Sequence, residues 1–275
     1  MSRWLWSLLL LLIASNVFAS QTEQRFISLA PNITEIIYAA GAGSKLVAVS
    51  DYSNYPSQAK KLPRVANYTG IDIEKIIKLH PTRVFYWQGG NRMSQVEQLK
   101  QLGIKTEAIR VHSVHDVVKA IRKIGQLAGT QKQADQYAQH LWHQYQDLQH
   151  RYKKRSTVPV FYQVSASPLL TIGQHSYIRN LIQQCGGHHI INDTVGSAPE
   201  VNIATLLKRQ PQAIIIGKSS HDHTQYQQFW HQWPQLKAVQ QQHVFLIKAS
   251  WINRPGPRLI KGMRKLCQVI DQARH

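Results

Sequence analysis

The sequence predicts an α/β protein of two lobes joined by one long helix. Three observations carry this. Short apolar runs alternate along the chain with amphipathic stretches of helical period. A unit of helix, proline stop and strand recurs at an offset of 130 residues, from Ile73 to Ile203. Between the two halves, Gln131 to Lys153 contains neither Gly nor Pro, and Ala134, Tyr137, Ala138, Leu141, Trp142, Tyr145 and Leu148 recur at three- and four-residue spacing.

The first half opens with Phe26-Ile27-Ser28-Leu29, a buried strand ending at Pro31-Asn32. A helix follows from Thr34, its expected cap, to Ala40, and Gly41 stops it before a second strand, Leu46 to Val49. Ile73 to Leu79 is a short amphipathic helix halted by Pro81, with Val84 to Trp87 the strand after it. In the second half, Ile203 to Arg209, Pro211 and Ile214 to Gly217 repeat that unit. Val160 to Val164 is a strand, Ile178 to Cys185 a helix with Gly186-Gly187 as its turn, Val244 to Lys248 the last strand and Arg258 to Ala273 the last helix. The alternative to a true repeat is chance similarity between common α/β units. The long helix would span roughly 34 Å at 1.5 Å per residue, a strut between lobes, and Lys153 to Thr157 is a basic linker after it.

Arg3, the apolar run Leu8 to Ile13 and Val17-Phe18-Ala19 have the order of an export leader: charge, short apolar segment, small-residue cleavage site. The run is too short to span a membrane comfortably. A leader over 1–19 leaves a first lobe over 20–129, the helix and linker over 130–155 and a second lobe over 156–275. Export bears on the charge. The 33 Lys+Arg against 14 Asp+Glu, a net of +19, would point first to nucleic acid. An exported chain does not meet DNA, so no nucleic-acid partner is expected. The excess is scattered over helices and linkers and suits an anionic membrane face. Cys185 and Cys267 are the only thiols of an exported chain and are expected to pair; two buried free thiols are the alternative.

In open α/β lobes, ligands bind beyond the carboxyl ends of the strands. Tyr52, Trp87 and Trp251 fall at such ends and Tyr68 in a loop, faces suited to a large, flat, partly apolar ligand. Nothing points to an enzyme: there is no phosphate-binding GxxxxGK loop, no nucleophile elbow and no pair of carboxylates at matching strand ends. His112 with His115, His188 with His189, and His221-Asp222-His223 have metal-like spacings, but in a His- and Gln-rich chain they read as surface histidines.

The runs Ser28 to Glu35, Gly41-Ala42-Gly43, Tyr52 to Pro56, Trp87 to Asn91, Cys185-Gly186-Gly187, Ser250-Trp251 and Arg254 to Arg258 resemble the periplasmic cobalamin-binding proteins, over residues 25 to 270. The resemblance implies two Rossmann-like lobes with central, mainly parallel sheets joined by a single long helix, the ligand in the cleft between them, and a Cys185–Cys267 bridge. It places Tyr52, Tyr68, Trp87, Gln88, Gly89 and Gly90 of one lobe, and Ser250, Trp251, Ile252, Asn253 and Arg254 of the other, around the ligand. Ala198 and Leu170 stand where the family has aromatics, and Ser250 where it has an acid. It implies a monomer that hands cobalamin, as cargo and not cofactor, to the permease and ATPase of an ABC importer. One glutamate per lobe docks on the permease: Glu74 matches the first, Ala204 stands at the second, and Glu200 is the nearby substitute. Competing readings are a haem or ferric-siderophore binder on the same fold, a His-based metal-binding protein and an envelope enzyme.

Overall fold

Apolar runs too short for helices, each ending in a turn signal, become the strands of two five-stranded sheets in a computed structural model that describes residues 23–193, 195–218 and 223–275. The expected leader lies outside the described residues, as do His221 and Asp222.

The first sheet holds β1 (Phe26–Ser28), β2 (Leu46–Ser50), β3 (Arg64–Ala66), β4 (Arg83–Trp87) and β5 (Thr106–Ile109) in the order β3-β2-β1-β4-β5, with every pairing parallel. Both faces are covered, which is why its central strands read as continuous apolar runs. Helix α1 (Pro31–Ala39) starts three residues earlier than the sequence predicts. Proline fits the first helical position, where its missing N–H is no loss, so Ala30 takes the cap and Thr34 is buried one turn inside. Helices α2 (Ile73–Lys78), α3 (Met93–Gln101) and α4 (Val114–Ala128) complete the lobe. Gly129, at φ 69°, ends α4 in the left-handed conformation that glycine adopts without penalty.

The connecting helix, α5 (Gln131–Tyr152), buries Ala134, Ala138, Leu141, Tyr145, Leu148 and Tyr152 on one stripe. It packs closely on α4 because Gly125 has no side chain: a Cβ there would lie 2.2 Å from that of Ala134. A single cluster of buried side chains runs from Phe26 and Ile33 through this stripe to Tyr162 and Leu266. The helix is therefore part of the core of both lobes.

The second sheet contains β6 (Val158–Ala166), β7 (Leu169–Thr171), β8 (Gly187–His189), β9 (Ala213–Lys218) and β10 (Val244–Lys248). Its path is β10-β9-β6-β7, with β8 also on β6; β7 is antiparallel and the other pairings are parallel. Around it lie α6 (Tyr177–Gln184), α7 (Ile203–Arg209), α8 (His223–His231), α9 (Lys237–Gln240), α10 (Ala249–Ile252) and α11 (Leu259–Gln272). The disulfide Cys185–Cys267, with Cα atoms 4.6 Å apart, ties the end of α6 to α11. The 130-residue offset is present in three dimensions: α2 and α7 start at Ile73 and Ile203, and β4 and β9 at Arg83 and Ala213. Even the caps correspond, since Asp72 accepts from the Lys75 N–H and Asn202 from the Ala204 N–H. No helix among the described residues is long and apolar enough to cross a membrane.

Candidate functional site

The order of the first sheet reverses direction at β1 and β4, and that of the second at β6 and β9. The carboxyl ends of these strands are the switch points where open α/β sheets bind ligands. Trp87 ends β4, and the turn after it is held by Asn91. That side chain accepts from the Trp87 N–H at 2.7 Å and donates to the Leu29 carbonyl beyond β1 at 2.9 Å. Gly90 lies against the Trp87 ring, where a Cβ would meet ring carbon at 2.1 Å. Trp87 and Gln88 are half-buried, and Gly89 and Gly90 exposed.

Tyr52 follows β2 at φ 61°, an uncommon conformation for a residue with a side chain, and is 69% exposed. What holds it there is a chain of buried hydroxyls: Thr34 donates to Ser28 at 2.9 Å and lies 3.0 Å from Ser53, which lies 3.1 Å from Ser50. Arg64 closes the turn by donating to the carbonyls of Ser50 and Ser53. Tyr68 tops the next turn, 88% exposed, above Asn67, whose side-chain oxygen accepts from the N–H groups of Thr69 and Gly70. Two large aromatic rings thus stand in water on rigid supports, the reverse of their usual place.

In the second lobe, Ser250, Trp251 and Ile252 form α10 directly after β10. Ile252, expected at the ligand, has its side chain fully buried in the core. Its carbonyl accepts from the Tyr177 hydroxyl at 2.8 Å, while Asn253 Oδ1 accepts from the Tyr162 hydroxyl at 2.8 Å. Burial holds both tyrosines above the usual phenol range, so both stay protonated donors. Gly217 leaves room for this, because a Cβ there would lie 2.2 Å from the Tyr162 hydroxyl. Trp251 is half-buried, with the Lys248 ammonium 5.7 Å from its ring centre.

The two sets of residues meet. Arg254 donates to Asn54 Oδ1 at 2.9 Å, and Asn32 to the Pro255 carbonyl at 3.4 Å. Arg258 grips both carboxylate oxygens of Glu35, at 2.9 and 2.5 Å, reaches Ser250 Oγ at 3.4 Å and lies over the Tyr55 ring. Glu35 is 3% exposed, and burial raises its carboxyl above the usual range despite the pull of Arg258 and Arg254. This interlobe latch is missing from the reading of the sequence. Its signal was present: Glu35 is an acid on the apolar face of α1, and an acid there requires a cation.

Glu74 and Ala204 both occupy the second position of their helices and both are exposed; Glu74 pairs with Lys78. Glu200 is exposed in the bridge to Leu170, outside α7. The histidines do not converge: among the described residues no group of three or more His, Cys, Asp or Glu is placed to hold a metal. His115 lies beside the Trp142 ring. His189 is buried, its Nδ1–H donating to the Ile191 carbonyl at 3.1 Å and its Nε2 2.9 Å from Thr171 Oγ1.

Residues 27–250 match the family model described as periplasmic binding protein. This chain belongs to that family. Within it, the chain is 35% identical over 251 residues to the vitamin B12-binding protein of Vibrio cholerae, covering 91% of this chain and 90% of that one. It is 35% identical to the vitamin B12-binding protein of Pectobacterium atrosepticum, over 98% of this chain and 94% of the relative. The crystal structure of the periplasmic vitamin B12-binding protein BtuF of Vibrio cholerae superposes with a TM-score of 0.85 at 35% identity, over 91% of this chain and 98% of that one. The periplasmic haem-binding protein BhuT, in complex with two haems, reaches a TM-score of 0.81 at 18% identity over 91% of this chain, a likeness of fold alone. Family membership bears out the expected two-lobed, mainly parallel α/β architecture and the periplasmic binding role.

Proposed function

We propose that this protein captures cobalamin between its two lobes in the periplasm and delivers it to an ABC importer. The observation that carries this is identity of 32–35% to vitamin B12-binding proteins over nine-tenths or more of the chain. Binding is non-covalent, and cobalamin is cargo; the chemistry requires neither catalysis nor a cofactor. The leader over 1–19 directs export. The lobes take 20–129 and 156–275, with 130–155 joining them, and the protein acts as a monomer.

Tyr52, Tyr68, Trp87 and the Gln88-Gly89-Gly90 turn offer flat apolar faces and backbone groups from one side. Ser250, Trp251, Asn253 and Arg254 do so from the other, and Ile252 anchors their segment. Rings already exposed on braced turns suit a broad macrocycle, because little ordering is left for binding to impose. Glu74 is the permease contact of the first lobe and Glu200 that of the second.

The test is equilibrium titration of the mature apo-protein with cyanocobalamin, read by tryptophan quenching. Saturable quenching at or below micromolar ligand, weakened by Trp87→Ala and by Trp251→Ala, is the expected result. No quenching at micromolar cobalamin, together with a Soret band on adding haem, would replace cobalamin by haem.

A further inference from the structure

Lys218 is the last residue of β9, is 5% exposed, and its Nζ has no hydrogen-bond partner among the described residues. Leaving an ammonium buried and unpaired is costly. A cation in such a place calls for an anion, and none of the described residues supplies one.

Its position says where that anion comes from. The carboxyl ends of β6 and β9 form the switch point of the second sheet. The offset that carries Ile73 to Ile203 also carries Gln88, a residue assigned above to the ligand, onto Lys218. A second donor lies on the same face. Gln163 of β6 is fully buried and pairs in parallel register with Ile216, two residues before Lys218, so strand alternation points all three side chains to one side. Its Oε1 accepts from the Trp230 indole N–H at 2.8 Å, and its Nε2 has no acceptor among the described residues. Lys248, opposite Lys218 in the register of β10, brings a further positive charge to this end of the sheet. Among the described residues, donors accumulate here without acceptors.

We propose that the carboxyl end of β6 and β9 is an anion subsite, in which Lys218 Nζ and Gln163 Nε2 take an oxyanion of the ligand. The inference rests on the cobalamin reading for the identity of that group, which is the phosphodiester joining the corrin to its nucleotide base. It makes this lobe a discriminator of corrinoids: cobalamin carries the phosphodiester and cobinamide lacks it.

Two arms of one experiment test it on the mature protein at fixed ionic strength. In the first, thermal unfolding of the apo-protein is followed with added inorganic phosphate or acetate. Wild type and the exposed-lysine control Lys154→Met gain in melting temperature, and Lys218→Met does not. A larger gain with acetate than with phosphate overturns the phosphodiester assignment. In the second, wild type binds cobalamin about tenfold more tightly than cobinamide, the size expected for one charged hydrogen bond. Lys218→Met brings the two affinities together by weakening cobalamin alone. A Lys218→Met protein that keeps its stabilisation by the anion, or loses affinity for both corrinoids equally, overturns the subsite. If wild type binds neither corrinoid, the cobalamin reading falls while the first arm still decides whether Lys218 holds an anion.

Discussion

The two lobes are built to one backbone plan and differ at the starts of its helices and the ends of its strands. At 72 and 202 both carry a capping side chain, and the helices and strands that follow begin at matching positions. Two residues past the caps, the first lobe has Glu74 and the second Ala204; at the carboxyl ends of the repeated strands, the first has Gln88 and the second Lys218. Caps and apolar strand residues answer to demands internal to each lobe: orphan N–H groups and a core to fill. On the proposed function, positions 74, 88, 204 and 218 face a ligand or a partner, and there the lobes carry different charge. On that reading, divergence between halves marks surfaces of recognition more sharply than likeness does.

Only the second lobe is covalently stapled, and breaking that staple has the largest expected effect. Cys185 and Cys267 are 82 residues apart; a closed loop of that length restricts the unfolded chain by about 4 kcal/mol in the entropic picture. Replacing both with Ser should lower stability by that order in urea unfolding, with amide exchange accelerating in the second lobe before the first. Equal acceleration in both lobes would show that the shared core through α5 outweighs the staple. Next comes the latch. Glu35→Gln should cost about 3 kcal/mol by leaving the Arg258 guanidinium buried without its counter-charge, while Glu35→Leu combined with Arg258→Met should recover most of it. Denaturation of the singles and the double measures the coupling.

His189 separates the lobes by pH. Burial pulls its imidazole down to about 4, helped by the charges of Arg179 and His188, against about 6.5 in an unfolded chain. A depressed histidine contributes stability above pH 6.5 that is lost as pH falls toward 4. Unfolding free energy should therefore decline between these values by about 3 kcal/mol, and His189→Asn should flatten that decline. The smallest expected effect is at the docking positions. Glu74→Arg should reduce cobalamin uptake by cells without altering cobalamin affinity, and Ala204→Glu should raise uptake a few-fold. Uptake unmoved by Glu74→Arg would remove the docking role proposed for that residue.

Legibility follows the range of the interactions. The strands of the repeat, the long helix and the disulfide were readable, because apolar period, the absence of Gly and Pro, and a lone pair of thiols are local or compositional signals. Strands β3, β5, β7 and β8 were not, being three or four residues each, too short to show a period. The start of α1 is hidden because Pro31 suits the end of a strand as well as the first helical position it occupies. Of the site, the aromatics after strands were visible one by one. The Glu35–Arg258 pair and the buried ends of Gln163 and Lys218 were not, because a polar residue in an apolar run announces a need without naming its partner.

The latch joins residues 223 positions apart. Synthesis runs from the N-terminus, so Arg258 emerges when almost everything else has already been made. The platform of Ser250 to Arg254, which that contact fixes against the first lobe, must then be the last part of the binding surface to acquire its shape.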